Sequence, residues 1–133
     1  MKQFKPAFLL AIALAIGCGA AEARTVSKVE LQALTRNEIQ RISTNGQLTF
    51  VDLSSSTIRR LVQTDNHPEI FSNMSGTLYV LCITAADTKG KKVPVDIYIS
   101  NYDNTLKLID IIYGDAARTG FMKLVQKGVV RRI

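Results

Sequence analysis

Three apolar runs, each closed by turn chemistry, fill the second half of this chain and constrain its fold more than any other feature. Thr77 to Ala86 (TLYVLCITAA) is dense in β-branched and aromatic residues. Its apolar side chains fall on both faces, as in a strand covered on both sides. Asp87-Thr-Lys-Gly-Lys-Lys92 follows as a charged hairpin tip, with Gly90 available for positive φ. Val93 to Ser100 alternates: Val93, Val95, Ile97 and Ile99 point one way, Asp96, Tyr98 and Ser100 the other. Asn101 to Asn104 is the next turn, and Thr105 to Tyr113 (TLKLIDIIY) is a third strand. Strands joined by such short turns predict an antiparallel meander.

The flanking segments read as helical. Ser27 and Glu30 have the spacing of a capping box, and Val29, Leu31, Leu34, Ile39 and Ile42 recur at helical spacing, which predicts a helix over 28–43. Thr35 and Glu38 repeat the box, so a kink or two short helices is a second reading. Leu48 to Leu53 is a short strand, with an extension of an amphipathic helix as its rival. Ser54 to Ser56 can cap a short helix carrying Ile58, Leu61 and Val62 inward and Arg59 and Arg60 outward. Pro68 opens one more helical turn, Glu69 to Met74. After Gly114, Asp115 can cap a final helix to about 127, with Ala117, Phe121, Leu124 and Val125 on one side and Gly128 as its stop. Gly120 weakens that helix, so a neighbour is expected to approach it closely. Val129 to Ile133 reads as a last strand or a frayed basic end. The expected class is α+β: N-terminal helices packed on one face of a curved antiparallel sheet, then a closing C-terminal helix.

The first residues read as an export signal. Lys2 and Lys5 form a positive n-region, and Phe8 to Ile16 is an apolar run shorter than the roughly 20 residues a membrane span needs. Small residues follow, ending in Ala21-Glu22-Ala23, a signal-peptidase pattern that places residues 1–23 in a signal peptide and 24–133 in a single domain. Ala15-Ile16-Gly17-Cys18 gives a competing reading as a lipobox with Cys18 lipidated, although that position before Ile16 usually holds Leu. The expected location is periplasmic or secreted. The chain carries a formal net charge of +6; losing Lys2, Lys5 and Glu22 with the leader leaves about +5. Such a charge suits anionic surfaces and acidic partners. Nucleic acid is excluded as a partner by export and by the lack of an aromatic stacking platform.

Catalytic chemistry is sparse. His67, the only histidine, lies beside Asp65 in a polar turn with no nucleophile near it in sequence. Cys82 sits mid-strand and reads as a buried structural thiol. No metal-ligand spacing is present, and no cofactor is implied. Asp96 and Asp110 each interrupt a hydrophobic strand. Facing inward, either would need a hydrogen-bond partner or a raised pKa, and Asp110 could then serve as a general base; facing outward, it would pair with Lys107 or Lys92. Lys89, Lys91 and Lys92, and again Arg131 and Arg132, form basic clusters.

From Thr77 onward the chain resembles the C-terminal part of MlaC, the periplasmic phospholipid-carrier or toluene-tolerance family. The order of TLYVLCITA, DTKGKK, VPVDIYIS, LKLIDIIYG and DAARTGFMKLVQKG carries the likeness, with Arg118, Phe121 and Gly128 where the family has a basic residue, an aromatic and a glycine. This chain departs from the family in its shorter N-terminal half and in Leu106, where a Trp is usual. The pattern is also shared by cystatin-like and NTF2-like domains. The resemblance implies an NTF2-like fold whose cavity holds acyl chains, hence a non-enzymatic binder or carrier of a phospholipid or other apolar ligand. Leu78, Val80, Val95, Ile97, Ile99, Ile109, Ile111 and Phe121 are the expected lining, and core filling is the competing role for each. A cell-envelope protein-interaction module using a sheet edge or the basic tip, and a small enzyme with Asp110 as base, are the alternatives.

Overall fold

The computed structural model describes residues 24–64 and 68–133. The export signal, Cys18, Asp65 and His67 lie outside the described residues. The elements run α1 (Lys28–Ile42), β1 (Leu48–Asp52), β2 (Thr57–Gln63), β3 (Glu69–Ser72), β4 (Leu78–Asp87), β5 (Lys92–Tyr102), β6 (Thr105–Tyr113), α2 (Asp115–Gln126) and β7 (Arg131–Arg132). The α+β class holds, with one seven-stranded antiparallel sheet.

The meander is the middle of that sheet. β4 pairs with β5 along its length, and β5 with β6. The other edge of β4 is shared: β3 pairs with Tyr79–Cys82 and β2 with Ala85–Asp87. β1 extends the sheet beyond β2, and the basic tail returns as β7 against β3.

Two segments expected as helices are therefore strands. In the 57–63 segment, Ile58 and Leu61 have helical spacing, but an extended chain sends them to opposite faces; Leu61 is fully buried and Ile58 is 70% exposed. Ser54 to Ser56 form the turn before β2 instead of a helix cap. The Asp52 carboxylate accepts from the Ser54 and Ser55 amides, and Ser56 takes a left-handed φ of 52°. Glu69–Ser72 likewise extends, because its Phe71 and Ser72 find ladder partners on both sides in β4 and β7.

One helix precedes the sheet among the described residues. α1 is unbroken through Thr35, whose side chain is buried. Ser27 Oγ accepts from the Glu30 amide at 3.1 Å, but the Glu30 carboxylate turns to Arg24 instead of closing the capping box. At α2, Gly114 (φ 69°) takes the N-cap position expected of Asp115, which sits in the first turn and complements the helix dipole there. The helix ends in a Schellman arrangement: Gly128 N–H donates to Val125 O, and Val129 N–H to Leu124 O. An added Cβ at Gly120 would meet nothing within 4 Å, so no neighbour approaches it closely.

The two faces of the sheet hold separate cores. On one, Leu31 and Ile39 of α1 pack with Leu48, Leu61, Leu81, Val95, Ile97 and Ile99. On the other, Phe121, Leu124 and Val125 of α2 pack with Phe71, Leu78, Val80 and Tyr98. The helices thus take opposite faces, and this is why β4 is apolar on both sides. Beside β5, β6 carries a β-bulge. Tyr98 pairs with Asp110 and Ile99 with Leu108, leaving Ile109 without an opposite residue. The extra residue reverses the inward parity from Ile111 and Tyr113 to Leu106 and Leu108.

Candidate functional site

Among the described residues, two clefts beside the sheet carry both apolar and charged lining. The larger, about 650 Å³, lies between the β1–β2 hairpin and the end of the meander. Local chemistry builds its roof: Asp52 holds the turn after β1, and the Arg59 guanidinium bridges from Asp52 (3.4 Å) to Asp87 (3.2 Å). Phe50 then lies flat on Tyr113, ring centroids 4.1 Å apart and 2° from parallel, which brings the hairpin to the end of β6. Val51, Leu53, Pro94, Ile111 and Ile112 add apolar wall, while Arg59, Lys91, Lys92, Asp52 and Asp115 supply charge. Hydrogen bonds from the Ser54 side chain and from the Ser54 and Ser55 amides pull the Asp52 carboxyl down to about 2, against desolvation, so it is a fixed anion at neutral pH. Asp87 is also lowered, chiefly by the Lys91 amide and then by that of Lys89, with Arg59 adding to it.

A smaller cleft of about 450 Å³ lies on the α2 face. Its floor is a row across three strands, Glu69, Cys82 and Asp96, set by the ladder register. Asp96 is buried, and its Oδ2 has no hydrogen-bond partner. Burial pushes its pKa up, against the opposing effects of the Cys82 thiol and of Arg118. The Cys82 thiol is itself pushed up, first by burial and then by Asp96, so it stays protonated and un-nucleophilic. Arg118 of α2 and Arg132 of β7 close the sides, and Arg132 pairs with Glu69 at 3.2 Å. A row of this kind can accept a hydrogen bond or hold a proton in a small polar space. Among the described residues, no group of three or more His, Cys, Asp or Glu side chains is placed to hold a metal ion.

The residues expected to line one cavity are divided. Val95, Ile97 and Ile99 are fully buried in the α1-face core, and Val80 in the α2-face core beside Leu78. Ile111 lines the larger cleft and Phe121 the smaller. Ile109 is turned out by the bulge and is 57% exposed. Asp110 is exposed on β6 with its Oδ1 accepting from the Ile111 amide at 2.8 Å. Asp96, not Asp110, is the inward carboxylate. Sequence reasoning missed Phe50, Arg59 and Tyr113 as site residues, since their meeting depends on how the hairpin folds back. Scanned against protein-family models, curated proteins and solved structures, the chain matches none.

Proposed function

We propose that this domain is a periplasmic, non-enzymatic binder or carrier of a lipid or similar apolar ligand with an anionic head. The single observation behind this reading is the cleft under the β1–β2 hairpin. Its volume falls within the roughly 300–1,000 Å³ typical of small-molecule sites. Phe50, Val51, Leu53, Ile111 and Tyr113 offer surface to an acyl chain, and Arg59, Lys91 and Lys92 stand at its rim for a phosphate or carboxylate. Burial of apolar ligand surface drives the binding, at about 25 cal/mol per Å² removed from water. The resemblance of residues 77–128 to phospholipid carriers supports the same reading, as does the reading of residues 1–23 as an export signal. An NTF2-like or cystatin-like arrangement of the sheet belongs to this proposal. The acyl site moves from the inner sheet positions to the hairpin cleft, because those inner side chains are packed against each other.

The experiment is native mass spectrometry of the purified protein, followed by displacement of a dansylated fatty acid with phosphatidylglycerol. A co-purifying lipid, or displaceable probe binding that is lost in Ala116→Trp at the cleft wall, supports the reading. A protein that carries no lipid and takes up no probe rules it out.

A further inference from the structure

The β1–β2 hairpin has two faces of different character. Its inner face turns toward the protein and the cleft: Leu48 and Leu61 are buried, Phe50 stacks on Tyr113, and Arg59 is ion-paired. The outer face is apolar and open. Val51 and Ile58 are direct cross-strand partners, 60% and 70% exposed. Leu53 at the turn is 86% exposed, and Val62 continues the same face at 46%. Isolated exposed apolar residues are ordinary, but four on one side of one hairpin form a patch.

Cations border this patch on its own face and at the cleft edge. Arg60 lies on the same outer face, paired with Thr49. The Arg59–Asp87 ion pair fastens the Lys89–Lys92 turn beside the hairpin, where Lys91 and Lys92 border the same cleft as Val51 and Leu53. Three carboxylates lie nearby, yet cations remain in excess: Arg59, Arg60, Lys89, Lys91 and Lys92 against Asp52, Asp87 and Asp115. Asp52 is occupied by Ser54, Ser55 and Arg59, and Asp87 by two amides and Arg59; Asp115, at the N-terminus of α2, faces that helix's dipole.

We propose that the outer face of this hairpin docks on an anionic lipid bilayer, with Leu53, Val51 and Ile58 entering the headgroup layer and Arg60, Lys89, Lys91 and Lys92 meeting lipid phosphates. Charge decides the occupant. A second copy would bring the same cations against one another, whereas an anionic bilayer complements both the apolar residues and the charges. This docking does not depend on the cleft holding a ligand; Val51, Leu53, Lys91 and Lys92 border the cleft as well, so the two are separated by mutation at Ile58 and Lys89, which do not line it.

The test is co-sedimentation of purified protein of determined N-terminus with vesicles of phosphatidylcholine, with or without about one third phosphatidylglycerol. Binding is expected only with phosphatidylglycerol and weakens with salt. Lys89→Glu lowers it more than roughly fivefold, the effect of removing one cation from an anionic surface. Ile58→Asp lowers it about tenfold or more, with fatty-acid probe binding retained because Ile58 and Lys89 lie outside the cleft. The chain has no tryptophan, so Ile58→Trp, outside the cleft, supplies a sole tryptophan emitter that shifts to the blue on phosphatidylglycerol vesicles. Equal binding to neutral vesicles, no effect of either charge change, or an unshifted Trp emission overturns the proposal. So does a dimer in sedimentation equilibrium that Ile58→Asp dissociates, since the face would then be a self-association surface.

Discussion

Phe50 of β1 and Tyr113 of β6 stack face to face, 4.1 Å apart and within 2° of parallel, although they are distant in sequence. This contact holds the hairpin over the end of the meander and shapes the larger cleft. Phe50→Ala is expected to destabilise the protein by about 2–3 kcal/mol, near the low end for a large-to-small aromatic change because Phe50 is only half-buried. Tyr113→Phe keeps the stack and should be nearly neutral. A double-mutant cycle with Tyr113→Leu in urea melts should return a coupling of about 0.5–1.5 kcal/mol.

Asp96 sets a pH dependence opposite to that of most carboxylates. Its pKa in the folded protein is raised by burial above the ordinary 3.8. Between those two values the folded state holds the proton that the unfolded state has released, so stability falls as pH rises through that window and stays lowered above it. Asp96→Asn should abolish that slope in urea melts across the acid range. The same change lowers the Cys82 thiol pKa, because Asp96 helps to raise it. Alkylation of Cys82 by iodoacetamide at mildly alkaline pH should therefore be faster in Asp96→Asn than in the parent.

Asp52 works in the other direction. Its folded-state value of about 2 lies below the ordinary 3.8. The stability it contributes is complete above the higher value and is lost as pH falls through the lower one. Asp52→Asn should remove that part of the acid loss, read as a shallower fall in melting temperature between about pH 4 and 2.

Gly120 offers a stabilising change. It lies within α2 with a helical φ, and a Cβ there meets nothing within 4 Å. Gly120→Ala should raise stability by about 1 kcal/mol and melting temperature by a few degrees, checked by calorimetry.

Neighbouring isoleucines of the meander should behave unlike one another. Ile97→Ala empties a fully buried site and should lose about 2–5 kcal/mol in urea melts. Ile109→Ala, on the exposed bulge, should change stability by no more than about 0.5 kcal/mol.

The meander was legible because its turns declare themselves and its runs are rich in strand formers. Residues 105–113 form β6 with the bounds expected, and 115–126 a helix. The 57–63 strand was not legible. Ile58, Leu61 and Val62 imitate a helix stripe only because Ile58 and Val62 are apolar residues left outside. Ile109 illustrates the same limit: a strict period of two places it with Ile111, and one bulge reverses the parity. Asp96 stood out in sequence as a charge inside a hydrophobic strand, yet nothing local showed which of Asp96 and Asp110 turns inward. The larger cleft was invisible because apolar periodicity reports on single elements, whereas this site forms between a hairpin and a strand far along the chain.

The shared edge of β4 bears on how the molecule opens. The β1–β2 hairpin reaches β4 through Leu61–Gln63 and the Thr64 amide on Thr84 O, with the Arg59–Asp87 pair, the Phe50–Tyr113 stack and the burial of Leu48 and Leu61 as further ties. β3, β5 and α2 bind β4 and its neighbours independently of it. The ladder between the hairpin and β4 is thus much shorter than that between β4 and β5, and the amides along it should exchange hydrogen sooner. An element anchored by its Leu48–Leu61 end and held by a short ladder has its freedom at the opposite end, the turn that overhangs the cleft.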